Sequence, residues 1–239
     1  MNLEFPYLDE KTSFQFPPVD SATEEGIVAV GGNLSPGMLL SAYRQGVFPW
    51  YSPGEPILWW SPDPRFVLFP QDLHVSKSMR RLLKKGVFGI RFDTAFERVI
   101  EACRTAPRPG QDGTWITDEV VEGYTRLHSL GYAHSVEAWQ GEELVGGLYG
   151  IHLGRLFFGE SMFSNEANAS KAALVSLVDL AKSRGLSFID CQYYTPHLES
   201  LGARNLPRKE FMRLLAEELQ GESSPGSWKD LPAARHEIS

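Results

Sequence analysis

Residues 132 to 192, YAHSVEAWQGEELVGGLYGIHLGRLFFGESMFSNEANASKAALVSLVDLAKSRGLSFIDCQ, change rhythm twice. YAHSVEAW, ELVGGLYGI and RLFFGESMF read as three strands joined by the short connections QGE and HLG, which favours an antiparallel meander. NASKAALVSLVDLAKSRG, residues 168 to 185, then carries Ala and Leu throughout, with a candidate cap at Asn168 or Ser170 and a stop at Gly185, and predicts one long helix. LSFIDCQ returns to a strand. Meander, helix, strand is an α+β order.

The segments before it fit two parts. DTAFERVIEACRT places Phe96, Val99, Ile100 and Cys103 at helical spacing, and TDEVVEGYTRLHSLG does the same with Val120, Val121, Tyr124, Leu127 and Leu130. SPGMLLSAYRQG predicts a shorter helix with Ser35 as N-cap, Pro36 at the first helical position and Gly46 as the stop. Between Tyr43 and Phe69 stand eight aromatic residues, interrupted by Pro49, Pro53, Pro56, Pro62 and Pro64. Proline removes a ladder donor, so this stretch predicts rings that pack loops between layers or line a site, rather than rings in regular sheet. A boundary near Ser61 gives a small N-terminal α/β domain, 1–61, and a larger domain, 62–239.

Composition sets outer limits. At 239 residues, 42% hydrophobic and 22% charged, the chain is ordinary globular material. Its first residues lack the positive start and apolar run of a secretory signal, and no apolar run reaches membrane-spanning length, so the expected location is the cytoplasm and no membrane partner is expected. Cys103 and Cys191 are far apart and the six histidines show no ligand spacing, which argues against a disulfide framework and a metal site. The net charge of -7 opposes a nucleic-acid partner, yet residues 73–92 hold Lys77, Arg80, Arg81, Lys84, Lys85 and Arg91 with no acid. As a helix over 76–85, the first five form a basic stripe able to track phosphates, with Leu82 and Leu83 anchoring the other side; a solvated helix face has the same pattern.

LSFIDCQYYT, residues 186–195, ends in a carboxylate and an amide two positions apart. Strand alternation points Asp190 and Gln192 to one face and Ile189 and Cys191 to the other. A strand leaving the core also ends in polar residues, so the pair alone does not decide its use. The order of elements resembles the GNAT acyltransferase fold, with a mixed, largely antiparallel sheet. Acetyl-CoA users of that fold carry a glycine-rich loop before the long helix, whereas SNEANAS has no glycine and includes Glu166, which disfavours an N-acyltransferase using acyl-CoA. A non-catalytic tRNA- or peptide-binding protein is the other alternative.

VAVGGNLSPGMLLSAYRQGVFPWYSPGEPILWWSPDPR, GTWIT, GESMFS followed by NASK, and IDCQ together resemble the leucyl/phenylalanyl-tRNA–protein transferase family, from about Phe16 to about Pro207. The resemblance implies transfer of Leu or Phe, Met less well, from Leu-tRNA or Phe-tRNA to proteins with N-terminal Lys or Arg, which marks them for degradation. Such an ester is already activated, so aminolysis calls for no cofactor, metal or covalent nucleophile; it calls for a neutral amine held against the carbonyl. By the resemblance, Asp190 polarises the Gln192 amide, whose carbonyl oxygen faces the amine, and Glu160 bonds the ribose hydroxyl or the aminoacyl amine. Trp50 and Trp115 enclose the terminal adenine. Tyr43, Tyr124, Leu148, Phe157, Met162, Leu174, Leu177, Ala181 and Ile189 form the side-chain pocket. Strand alternation sets Phe157 opposite Glu160 and Met162 unless Gly159 marks a bulge. Lys77, Arg80, Arg81, Lys84 and Lys85 become tRNA phosphate contacts, the acidic remainder suits a cationic acceptor, and the protein is expected to be a monomer.

Overall fold

The structure, a computed structural model, describes residues 5–107, 114–221 and 225–231. In the N-terminal part, β1 (Ile27–Val30), β2 (Phe48–Pro49) and β3 (Leu58–Trp60) form a small antiparallel sheet in the order β1-β3-β2, with α1 (Pro36–Arg44) between its first two strands. The prolines do not keep the rings out of the sheet. Phe48, Trp59 and Trp60 all lie in strands, because Pro49 falls on a two-residue edge strand, where no further partner needs its missing donor. Pro36 takes the first turn of α1, while the Ser35 hydroxyl accepts from the Leu8 N–H at 3.1 Å instead of capping the helix.

Four residues separate Trp60 from the second sheet. In chain order its parts are β4 (Arg65–Leu68), α2 (Lys77–Lys84), β5 (Gly89–Phe92), α3 (Phe96–Thr105), α4 (Asp118–Ser129), β6 (Ala133–Gln140), β7 (Glu143–Leu153) and β8 (Leu156–Ser164). Then follow α5 (Ala169–Arg184), β9 (Phe188–Gln192), α6 (Pro196–Glu199), β10 (Arg204–Leu206) and α7 (Arg208–Glu218). The seven strands stand in the order β10-β4-β9-β8-β7-β6-β5, and only β8 and β9 run parallel. That pair requires a crossover, and α5 supplies it. The protein is therefore α+β, with a small N-terminal part and a mixed, mostly antiparallel main sheet.

Alternation along β7 divides the core. Tyr149 and Ile151 pack with Phe96, Val99, Tyr124 and Leu127 of α3 and α4, whereas Leu148 packs with Leu174, Leu177 and Ala181 of α5. The far side of α5 is covered as well: Ala172 and Val175 meet Met79 and Leu83 of α2. A helix enclosed on both sides can be apolar nearly all round, which explains its Ala and Leu composition. On α2, Met79 joins Leu83 as the buried anchor, and Leu82 is only partly covered.

Two bulges interrupt the alternation where function was expected. Tyr149 pairs with Ser161 and Gly150 with Gly159, so Glu160 is an extra residue in β8. Phe157, opposite His152, and Met162, opposite Leu148, consequently share one face. In β9, Phe66 pairs with Gln192 and Val67 with Asp190, leaving Cys191 as the extra residue. Gln192 is also left-handed, with φ 64°. The prediction that Asp190 and Gln192 share a face by strand parity is thus overturned. β8 and β9 pair only from Leu156 with Phe188 to Phe158 with Asp190; beyond that point they part.

Candidate active site

A cavity of about 620 Å³ opens where β8 and β9 separate, lined by residues of both strand ends, of α5 and of the loop after β2. Leu148, Phe157, Leu174, Leu177 and Ile189 give it buried apolar walls, and Met162 adds a partly covered one. Glu160 and Gln192 stand at its polar end, Ser161, Thr195 and His197 also line it, and Trp50 and Trp115 border it, Trp50 being 37% exposed. The Trp50 ring lies 5.8 Å from Trp60 and 5.4 Å from Tyr193, and Trp60 Nε1 donates to the Trp50 carbonyl at 2.6 Å. These contacts hold the Trp50 backbone while its ring stays available. Gly113, the first residue of GTWIT, lies outside the described residues.

Glu160 is held from three sides. Its Oε1 accepts from the Tyr43 hydroxyl at 2.7 Å and from Gln192 Nε2 at 2.9 Å, and its Oε2 accepts from the Tyr124 hydroxyl at 3.0 Å. The two tyrosine hydroxyls also bond one another. Burial raises the carboxyl to about 7, against the opposing pull of those three donors. The phenols are in turn pushed well above their usual range by burial and the adjoining carboxylate. Because Nε2 of Gln192 is committed to a carboxylate, its Oε1 turns away from Glu160, and no protein donor to it is present among the described residues.

The structure departs from the expected site at four residues. Tyr43 and Tyr124 are not pocket walls: both are fully buried behind Glu160. Ala181 lies one helical turn beyond Leu177, inside the α5 core, and does not line the cavity. Asp190 is fully buried and does not reach the cavity or the Gln192 side chain. Its carboxylate instead grips Arg65, at 2.9 Å from Nε and 2.7 Å from Nη2, and accepts the main-chain N–H of Gln192 at 2.9 Å. The physical reason is the bulge, which turns the two side chains in different directions.

The N-terminus of α5 adds a negative finding. The Ala169 N–H donates to the Glu166 carbonyl at 3.1 Å and the Ser170 N–H to the Ser164 hydroxyl at 3.2 Å. Two of the first-turn amides that would hold a diphosphate there are already used.

The family model described as Leucyl/phenylalanyl-tRNA protein transferase matches residues 67–216, and that of its N-terminal domain matches residues 32–63. The chain belongs to the leucyl/phenylalanyl-tRNA protein transferase family. A relative of that name from Syntrophus aciditrophicus is 58% identical over 217 residues, covering 91% of each chain. One from Myxococcus xanthus is 52% identical, covering 92% of this chain and 94% of its own. A third, from Xanthomonas euvesicatoria, is 51% identical over 92% of this chain and 89% of its own.

In this member of the transferase family, the basic stripe lies on the exposed side of α2, while Met79 and Leu83 turn inward. No ion pair engages Lys77, Arg81, Lys84 or Lys85 among the described residues. Sequence reasoning missed Arg65, although it stands in the quoted SPDPR motif, opening an otherwise apolar strand that a charge enters only with a partner. It also missed Tyr193 and Tyr194, which follow IDCQ and line the cavity. Thr195, beside them, caps α6 by accepting from the Leu198 N–H at 3.1 Å. Among the described residues no cluster of His, Cys, Asp and Glu could hold a metal, and no helix is long and apolar enough to cross a membrane.

Proposed function

We propose that this protein moves Leu or Phe, and Met less well, from Leu-tRNA or Phe-tRNA to the α-amino group of proteins that begin with Lys or Arg, marking them for degradation in the cytoplasm. The observation that carries the reading is the Glu160–Gln192 contact at 2.9 Å, set in a cavity whose buried walls are apolar. The aminoacyl side chain enters among Leu148, Phe157, Leu174, Leu177 and Ile189. The terminal adenine lies against Trp50 and Trp115, each stack contributing about 1 to 3 kcal/mol. The apolar walls also keep water from the ester, whose hydrolysis competes with transfer.

The reaction needs neither metal nor cofactor. The amine nitrogen attacks the ester carbonyl carbon, a C–N bond forms, the C–O bond to the ribose breaks, and the freed ribose oxygen takes a proton as the amine loses one. Gln192 Oε1 accepts from the amine and orients its lone pair. An amide is too weak a base to keep the proton, whereas Glu160 beside it ionises at about 7 and is matched to that task. The exposed basic residues of α2, Arg80 among them, meet tRNA phosphates without reading sequence.

The deciding experiment incubates the protein with radiolabelled Leu-tRNA or Phe-tRNA and peptides beginning with Arg, Lys or Ala. Label passing to the Arg and Lys peptides but not to Ala is expected; no transfer from either tRNA would overturn the reading. The pH dependence is a second expected outcome. Both Glu160 and the acceptor amine, whose unperturbed pKa is about 7.7 to 8.0, must be deprotonated, so kcat/KM rises steeply below pH 7. In Glu160→Gln the transfer rate falls by about a hundredfold and the step near pH 7 disappears, leaving only the amine ionisation. Stability also depends on pH through this carboxyl. A carboxyl raised on folding makes ionisation costly to the fold above about 7, and this cost is relieved as pH falls toward 4.5. Glu160→Gln is therefore more heat-stable than the wild type at pH 8, and the difference shrinks by pH 5.

A further inference from the structure

Asp190 lies where a catalytic carboxylate is expected, yet it does not itself line the cavity. Oδ2 accepts from Arg65 Nη2, and Oδ1 accepts from Arg65 Nε and from the Gln192 N–H. That N–H is its direct tie to a cavity-lining residue. Gln192 sits at φ 64°, a conformation that a non-glycine residue keeps only when its surroundings impose it. The same conformation carries the Gln192 side chain to Glu160. Arg65 is itself immobilised: the Phe48 and Phe211 rings flank its guanidinium at 4.6 Å each, and Nη1 donates to the Gly46 carbonyl at 3.2 Å.

We infer that Arg65 is a positioning residue for acyl transfer: it fixes Asp190, and Asp190 fixes the left-handed Gln192 that presents its amide to the incoming amine. Asp190 then works as a hydrogen-bond acceptor for a main-chain N–H, and its charge serves Arg65 alone. The kinetic side of this inference rests on the transfer reading above; the structural side rests on the geometry alone.

A neutral pair separates position from charge. Arg65→Gln combined with Asp190→Asn removes both buried charges and keeps an oxygen for the Gln192 N–H. It is compared with Asp190→Ala and Arg65→Lys by kcat, by KM for aminoacyl-tRNA, and by the proton–nitrogen resonances of the Gln192 side-chain amide, assigned through their loss in Gln192→Ala. Asp190→Ala is expected to lower kcat by about a hundredfold or more with little change in KM, and to shift the amide resonances. The neutral pair recovers at least about tenfold of that loss and restores the resonances. Arg65→Lys keeps the charge without the two-pronged grip, lowers kcat about tenfold and displaces the resonances. A folded neutral pair as inactive as Asp190→Ala, with unmoved amide resonances, would overturn the inference in favour of charge. Arg65→Lys with unchanged kcat and resonances would overturn it too, and decides the matter where the neutral pair does not fold. Absence of transfer in the wild type is a failure of the functional reading, and the resonances still report whether Arg65 positions Gln192.

Discussion

Asp190→Ala is expected to unfold roughly 6 to 20 °C below the wild type at pH 7, besides losing transfer. The size follows from what the substitution leaves behind. Arg65 is fully buried between two phenylalanine rings, and its remaining partner is the Gly46 carbonyl. Removing one member of a buried ion pair strands the other charge in a poorly polarisable site, which costs about 3 to 5 kcal/mol. In a protein of 239 residues, each kcal/mol moves the melting point by about 2 to 4 °C. Calorimetry or far-UV circular dichroism reads the shift directly. A drop of less than about 2 °C would mean that Arg65 finds water or a new acceptor, and that the pair is not what holds this end of β9.

Replacing Lys77, Arg81, Lys84 and Lys85 together by Ala is expected to weaken aminoacyl-tRNA binding by tens to hundreds of fold near physiological salt. Their heads are exposed and make no ion pairs among the described residues, so the substitutions take nothing from the contacts of Met79 and Leu83 with α5. Each phosphate contact contributes about 0.7 to 0.9 to the slope of log affinity against log salt. Loss of three or four contacts therefore flattens that slope by about 2 to 4 as well as lowering affinity. Filter binding between about 50 and 200 mM salt measures both. Unchanged affinity and slope in a folded variant would return the stripe to an ordinary solvated face. The melting temperature is expected to stay close to wild type, since only exposed charges are removed.

The order of elements was legible because period changes along the chain: alternation through β6 to β8, helical spacing through α3 and α4, and a glycine stop at residue 185. The long helix was legible from its Ala and Leu composition, but its burial on both sides came only with α2 packed against it. What stayed hidden depends on register. Whether Glu160 or Cys191 is an extra residue is decided by the strand opposite, and Gly159 only hinted at the first. The same holds for Arg65 and Asp190, which stand 125 positions apart and meet only once β4 has paired with β9. Hence the residues of the site came forward from their motifs, but the partner of Asp190 did not. Pro49 erred in the other direction, because a proline argues against a strand only where both sides must pair.

The surroundings of Arg65 have a consequence for the protein's own birth. Phe48 and Gly46 come from the small N-terminal sheet and the turn before it, Asp190 from β9, and Phe211 from α7 near the end of the described chain. On a ribosome these pieces emerge in that order, and the guanidinium waits through most of synthesis without its counter-ion or its second ring. The left-handed turn at Gln192 cannot be locked before then. A nascent chain is thus born with this arginine unpaired, and its surroundings are complete only when α7, the last helix among the described residues, docks.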